Sequence, residues 1–273
     1  MRKVPVIAVI GRKKSGKTSL IKSLIKSLKA VGYNVMSAKH VDVKGFTIDS
    51  EGTDTWWHSK MGANPVVCIS ESETAVIYKD GESTFGLDEL LVYARKPKDL
   101  ILMEGFSRWI LENEDVGKIV MVKDESECEE YSKKVKEPVI CFCSYFIGGR
   151  EKILAAEEDF EEILGKVRSF IEDRRRIYEI LDQLPGLNCG KCSYGSCLGL
   201  AKAVHTGEAS LDDCTVRSSR KRQRCVILIE GKEVPIVPFV SEIIGKAVLA
   251  MVSTLKGVDI EGGEYVEVKI SKT

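Results

Sequence analysis

Apolar residues fall into two recurrent spacings along the chain. Five in a row, Val6 to Ile10, run into Gly11 and predict a buried strand. Leu20, Leu24, Ile25 and Leu28 then share one face of a helix over 19–30. Gly32-Tyr33-Asn34 turns the chain into a second strand at 35–39, completing a βαβ unit and implying a right-handed crossover in a parallel sheet. A polar, glycine-containing segment over 40–52 precedes a helix at 54–62, strands at 64–70 and 73–79, a turn at 79–82 and a helix at 87–95 stopped by Lys96-Pro97. Continuous apolar runs predict strands at 100–104, 118–122 and 138–142, with an acidic helix at 125–136 between the last two. An amphipathic helix over 159–173 carries Phe160, Ile163, Leu164, Val167, Phe170 and Ile171. This alternation describes an α/β domain over residues 1–173, a doubly wound and mostly parallel sheet. Residues 174–273 read as a smaller α+β module. Arg174-Arg175-Arg176 opens a helix ending at Leu184-Pro185-Gly186, and four cysteines and a helix at 198–206 follow. A hairpin turning at Gly231-Lys232, a helix at 240–255 and a strand at 265–270 complete it.

Composition narrows the function classes. Acidic and basic residues balance at 41 each, so no global field recruits nucleic acid or an anionic membrane. No apolar run reaches the ~20 residues of a membrane span. The first apolar run flows straight into a glycine loop, which marks it as a core strand and not a secretory signal. A cytoplasmic protein is expected. Its nine cysteines are then better suited to metal or redox use than to disulfides.

The segment Gly11-Arg12-Lys13-Lys14-Ser15-Gly16-Lys17-Thr18-Ser19 fits G-x-x-x-x-G-K-[ST] between a strand and a helix. The glycines let backbone N–H groups curl around phosphate oxygens, Lys17 reaches the β- and γ-phosphates, and Thr18 offers its hydroxyl to Mg²⁺. The following helix presents its positive end. A nucleoside triphosphate site is the expectation. Its acidic partner is expected at the C-terminal end of a neighbouring buried strand, where Glu104 stands in LILMEGF. The plainer reading of Glu104 is a solvated strand end. Asp49 and Asp54 flank Gly52 in a loop that could fold over the phosphates, although Thr53 or Asp54 could equally cap the next helix. Lys39-His40 falls on the same sheet edge, and His40 reads first as a satisfied polar residue.

In order, GRKKSGKTSL, AKH at 38–40, D-x-x-G-x-D-T at 49–55, MGA at 61–63 and DLILMEGFS at 99–107 resemble the molybdopterin-guanine dinucleotide biosynthesis adaptor family, MobB. The resemblance spans about residues 4–170. It implies a cytoplasmic homodimer that binds GTP with at most weak GTPase activity and assists a molybdopterin guanylyltransferase. It places the nucleotide at residues 11–18, with Asp49, Asp54 and Glu104 on the Mg²⁺ and phosphate side. Three features depart from the family pattern. Val41-Asp42-Val43 replaces further histidines, Thr53 replaces a lysine, and Trp56-Trp57 replaces more polar residues. Val122-Lys123-Asp124 is only an echo of the Asn-Lys-x-Asp guanine reader, so GTP over ATP rests on the resemblance.

Cys189, Cys192, Cys197 and Cys214 stand as C-x₂-C-x₄-C-x₁₆-C. Four thiolates so spaced can hold a 4Fe-4S cluster or Zn²⁺. Structural zinc sites usually pair two C-x₂-C knuckles, whereas a triplet with one distant ligand is the commoner habit of clusters. The run LPGLNCGKCSYGSCLGLAKAV with GEASLDDC also resembles the four-cysteine domain of corrinoid iron–sulfur proteins and RnfB-type electron carriers. Cys68, Cys141 and Cys143 sit in strand patterns and read as packed core, Cys128 lies on a polar helix, and Cys225 begins the hairpin. The basic run 217–224 reads either as a counter-charge to the cluster or as a solvated loop.

The expectation is a GTP-binding accessory protein of molybdenum- or tungsten-cofactor guanine-dinucleotide synthesis that carries a cluster. One alternative is an enzyme whose nucleotide hydrolysis drives electron or metal transfer. A second is a nucleotide-binding module with structural zinc.

Overall fold

The structure, a computed structural model, describes residues 3–79, 86–93, 97–149, 152–218, 225–258 and 266–268. Two compact units divide the chain, one up to Glu172 and one from Asp173.

The first unit contains β1 (Val6–Gly11), α1 (Lys17–Ala30), β2 (Val35–Lys39), α2 (Asp54–Lys60), β3 (Val66–Ile69), β4 (Thr74–Ile77) and α3 (Leu87–Val92). It continues through β5 (Leu100–Glu104), α4 (Ser107–Ile110), β6 (Val116–Met121), α5 (Glu125–Lys134), β7 (Val139–Ser144) and β8 (Ile153–Ala155) into α6 (Phe160–Leu181). Six strands form one sheet in the order β2-β5-β1-β6-β7-β8, every pair parallel. The fold is the doubly wound α/β arrangement expected.

Alternate side chains of the central strands face opposite layers. Ile7, Val9, Leu100 and Leu102 pack with Leu20, Leu24 and Leu28 of α1 and Ile163, Val167 and Ile171 of α6. Ala8, Ile10, Ile101 and Met103 pack with Leu90 of α3, Ile110 of α4 and Cys128 of α5. Both faces of β1 and β5 are therefore covered, which is why those strands read as unbroken apolar runs. Each large side chain removed from water there contributes roughly 1.5–3 kcal/mol.

Strand β1 has β5 on one side and β6 on the other, so the strand order reverses at β1. The C-terminal end of β1 is where an open parallel sheet leaves its crevice. The loop of residues 11–16 occupies that end.

Lys118 departs from the apolar pattern of β6. It is fully buried, and its Nζ donates to the carbonyl oxygens of Asn113, Lys136 (2.9 Å) and Glu137 (3.4 Å). The ammonium pins two loops at the N-terminal edge of the sheet. Lys118→Met keeps the length of the stem but strips these carbonyls of their donor. It is expected to cost about 3 kcal/mol of unfolding free energy, read as a lower denaturant midpoint with an unchanged slope.

Strands β3 and β4 form a separate antiparallel pair. Cys68 of β3 is exposed there, which corrects its reading as packed core; alternation alone does not reveal that a two-stranded ribbon lacks a covering layer. Cys141 and Cys143 are buried, and so is Cys128 on the polar helix α5.

In the second unit, α7 (Cys197–His205), a 3₁₀ turn at Leu211–Asp213, α8 (Thr215–Ser218), the hairpin β9 (Ile227–Ile229) and β10 (Lys232–Val234), and α9 (Pro238–Val252) follow the end of α6. Helix α6 runs through residue 173 without a break, so the two helices expected on either side of that position are one. The basic run at 219–224, residues 80–82 of the expected turn, residues 94–95 of the expected helix and residues 265, 269 and 270 of the expected last strand lie outside the described residues, and residues 266–268 of that expected strand take no strand conformation. No described helix is long and apolar enough to cross a membrane.

Candidate functional site

Between β1 and α1 the backbone makes a tight, left-handed excursion. Gly11 has φ 147°, and a Cβ there would lie 2.2 Å from the carbonyl oxygen of Met121. Gly16 has φ 93° and would drive a Cβ to 2.3 Å from the Tyr145 ring. Both positions therefore exclude any side chain, and the close approach of β6 and the Tyr145 ring sets the shape of the cradle. Gly11→Ala is expected to cost about 3 kcal/mol and to deform the loop, seen as a depressed melting temperature together with loss of triphosphate binding.

The polar groups of the loop converge. Lys17 Nζ donates to the carbonyl oxygens of Gly11 (2.9 Å) and Arg12 (2.7 Å). Burial lowers the Lys17 pKa below the ordinary lysine value, against the nearby Glu104 charge, which raises it. Ser15 is fully buried, and its Oγ has no hydrogen-bond partner among the described residues. Lys13, Lys14, Thr18 and Ser19 are exposed around the mouth. Arg12 is drawn aside to α5, where its guanidinium meets Glu130 at 2.5 Å and Glu127 at 3.6 Å.

The first turn of α1 and the ends of β2 and β5 contribute to one cluster beside the loop. Thr18 Oγ1 donates to Glu104 Oε1 at 2.8 Å, and Lys39 Nζ lies 2.9 Å from the same oxygen. In-register pairing of Lys39 with Glu104 and of Val9 with Glu104 brings the ends of β2, β5 and β1 level. The Glu104 side chain is only 13% exposed. Lys39 was legible only as a residue on this edge; its pairing with Glu104 follows from the register of two parallel strands that are not consecutive in sequence.

Asp49 and Asp54 sit elsewhere in the local hydrogen-bond pattern. Asp49 Oδ1 accepts from Thr53 and Thr55 at 2.9 Å each, and its Oδ2 is buried without a partner among the described residues. Thr53 caps α2 by accepting from the Trp56 N–H, and Asp54 opens its first turn. No hydrogen bond or ion pair among the described residues links either aspartate to residues 11–18. Asp124, in the echo of a guanine reader, accepts from the Glu127 N–H and caps α5.

In the second unit Cys197 and Cys214 are buried in one apolar core with Leu200, Ala201 and Val216, and Cys189 and Cys192 pack against it. Residues 188, 190, 193 and 195 all take positive φ, which coils the loop tightly between the first three thiols. Asn188 Oδ1 accepts the Cys197 N–H at 3.0 Å and Ser196 caps α7, so the third thiol sits at a fixed helix start. The capping box of Ser210 and Asp213 fixes the turn that presents the fourth. All four are free thiols. Among the described residues no three cysteine, histidine or acidic side chains stand close enough to hold a single ion. Four thiolates are a donor set that a 4Fe-4S cluster or Zn²⁺ can take, and a 4Fe-4S cluster would supply one-electron exchange when bound.

Comparison with known proteins matches two separate stretches of the chain to different family models. The family model described as "Molybdopterin guanine dinucleotide synthesis protein B" matches residues 6–144, and one described as "Putative Fe-S cluster" matches residues 184–216. A protein of Methanocaldococcus jannaschii named "Putative molybdopterin-guanine dinucleotide biosynthesis adapter protein" is 33% identical over 269 residues, covering 98% of both chains. The Haemophilus influenzae molybdopterin-guanine dinucleotide biosynthesis adapter protein is 29% identical over 134 residues, covering 47% of this chain and 71% of its own. The crystal structure of Bacillus subtilis MobB superposes with a TM-score of 0.47 at 20% identity, covering 61% of this chain and 97% of its own. The match over residues 6–144 and the full-length archaeal relative place the chain in a known family: it belongs to the molybdopterin guanine dinucleotide synthesis protein B family.

Proposed function

We propose that this protein is a GTP-binding accessory protein of molybdenum-cofactor guanine-dinucleotide synthesis, cytoplasmic and homodimeric, that also carries a 4Fe-4S cluster. The observation that carries the nucleotide reading is the contact of Thr18 with Glu104 at the end of β1, beside a loop that admits no side chain at positions 11 and 16. Backbone N–H groups of residues 11–16 would surround the β-phosphate. Lys17 would leave its loop carbonyls for the β- and γ-oxygens, and Thr18 and Glu104 would hold Mg²⁺. Lys39 would then balance the charge of Glu104 or meet the γ-phosphate. Cys189, Cys192, Cys197 and Cys214 would hold the cluster. The names of the relatives support a role beside the guanylyltransferase that joins GMP to molybdopterin.

Metal dependence tests the assignment. Glu104→Gln preserves the shape of the side chain but removes its charge. It is expected to weaken GTP affinity about tenfold in Mg²⁺ and to leave affinity in EDTA nearly unchanged, by calorimetric titration. An equal loss in both buffers would place Glu104 outside the metal site. Turnover below about 1 s⁻¹ without a partner fits an adaptor; faster hydrolysis would favour the enzyme reading.

A further inference from the structure

Two adjoining cavities of the first unit are not accounted for by the phosphate loop. The larger, about 610 Å³, is walled by His40, Phe106, Trp109 and Tyr78 and edged by Lys39. Its aromatic wall is ordered: the His40 ring lies 5.0 Å from Trp109 and 5.5 Å from Phe106, and the latter two are 5.8 Å apart. The smaller, about 300 Å³, is lined by Thr47, Trp56, Ser59, Lys60 and Lys79. Thr47 and Lys79 line both cavities, so the two chambers meet there.

Their chemistry differs in a complementary way. The small chamber offers two ammonium groups and two hydroxyls. Lys60 Nζ stands 5.0 Å over the Trp56 ring, and Lys79 Nζ is 3.5 Å from Thr47 Oγ1. Ser59 Oγ is buried with no hydrogen-bond partner among the described residues. A buried hydroxyl left in that condition costs about 1–3 kcal/mol, which a ligand oxygen would recover. Two cations and two hydroxyls lining one small chamber suit an anion bearing several oxygens, which would share Lys79 with the nearby Asp49 carboxylate. The large chamber offers ring faces and edges to a flat π-system. Its Lys39 edge adjoins Glu104, so a ring bound there would lie next to the Thr18–Glu104 end of the phosphate loop.

We propose that the paired chambers bind a phosphorylated planar heterocycle, with the ring against His40, Phe106 and Trp109 and the phosphate at Lys60, Lys79, Ser59 and Thr47. The choice of a pterin as that heterocycle rests on the function proposed above, whereas the two-part site rests on the cavities. The adaptor then holds the acceptor of the nucleotidyl group as well as the nucleotide, side by side.

Neopterin monophosphate, neopterin and inorganic phosphate serve as probes, added to the full-length chain saturated with Mg²⁺ and GTPγS and read by pterin fluorescence anisotropy or competition. The proposal expects saturable binding of neopterin monophosphate and at least about tenfold weaker binding of neopterin. The double variant Lys60→Ala/Lys79→Ala should abolish that difference, and Trp109→Leu should weaken both pterins, while GTPγS affinity stays within about twofold of the parent. Absence of saturable pterin binding with GTPγS affinity intact overturns the proposal. So does pterin binding unaffected by these variants, or displaced by GTPγS, which would put the probe in the phosphate loop. Pterin binding in a chain that fails to bind GTPγS would sustain the chambers and sink the nucleotide reading instead.

Discussion

Replacing Lys17 by alanine is expected to weaken GTP binding about a hundredfold while leaving the fold intact. The size follows from the chemistry lost, a pair of charge-assisted hydrogen bonds to phosphate oxygens worth together about 3 kcal/mol. The fold survives because Lys17 is only partly buried and donates to loop carbonyls that solvent can reach. The pH dependence distinguishes this cause from general damage. Burial lowers the Lys17 pKa in the free protein, and phosphate oxygens would raise it in the complex. Affinity is therefore full below the pKa of the free loop, falls as pH rises through it, and is accompanied there by proton uptake. Lys17→Ala should lose that alkaline limb along with the affinity. Titration calorimetry in buffers of different ionisation enthalpy reads both. A variant that binds weakly but keeps the alkaline limb would assign the proton to another group.

The second large effect concerns Cys214. Serine at this position keeps the size of the side chain but forfeits the thiolate, and no other cysteine is placed to replace it in the core around Leu200 and Val216. Cys214→Ser is expected to reduce bound iron and sulfide from about four each per chain to near zero, with loss of the broad visible absorbance. The second unit should be destabilised as well. Cys197 and Cys214 are two of the seven buried residues of the apolar cluster described there, so that core is small and the inorganic group would supply much of its cohesion. GTP affinity of the first unit should be unchanged, because the loop, Glu104 and Lys39 all belong to residues 11–104. Serine at Cys68, which is exposed on β3, is the matched control and should leave iron content untouched.

Much of the first unit was legible because buried parallel strands write themselves as apolar runs, and the helices that cover them carry one apolar stripe. The glycine loop was legible for a different reason: a sharp turn against a neighbouring strand leaves only residues without a Cβ. Shorter pieces escaped. Strand β8 is three residues long and follows a Gly148-Gly149 turn, so no periodicity could develop. Helix α4 is a single turn after Phe106. Lys118 looks like a break in an apolar run, and only the tertiary fold reveals three carbonyls waiting for its ammonium. The triple arginine at 174–176 suggested a break between two helices, yet arginine is a good helix former and α6 continues through it, although the two compact units divide at 172/173. In the candidate site, Thr18 and Glu104 could be anticipated from the motif and the strand end. The partners of Asp49, and the aromatic and basic chambers, arise from loops whose packing has no period in sequence.

The most direct measurement of the central claim is anaerobic purification of the full-length chain followed by iron, sulfide and GTP quantitation on one sample. The account predicts about four irons, about four sulfides and about one Mg²⁺-dependent GTP site per chain. A colourless protein with one tightly held Zn²⁺, or one that binds no triphosphate with its second unit fully loaded, would contradict it.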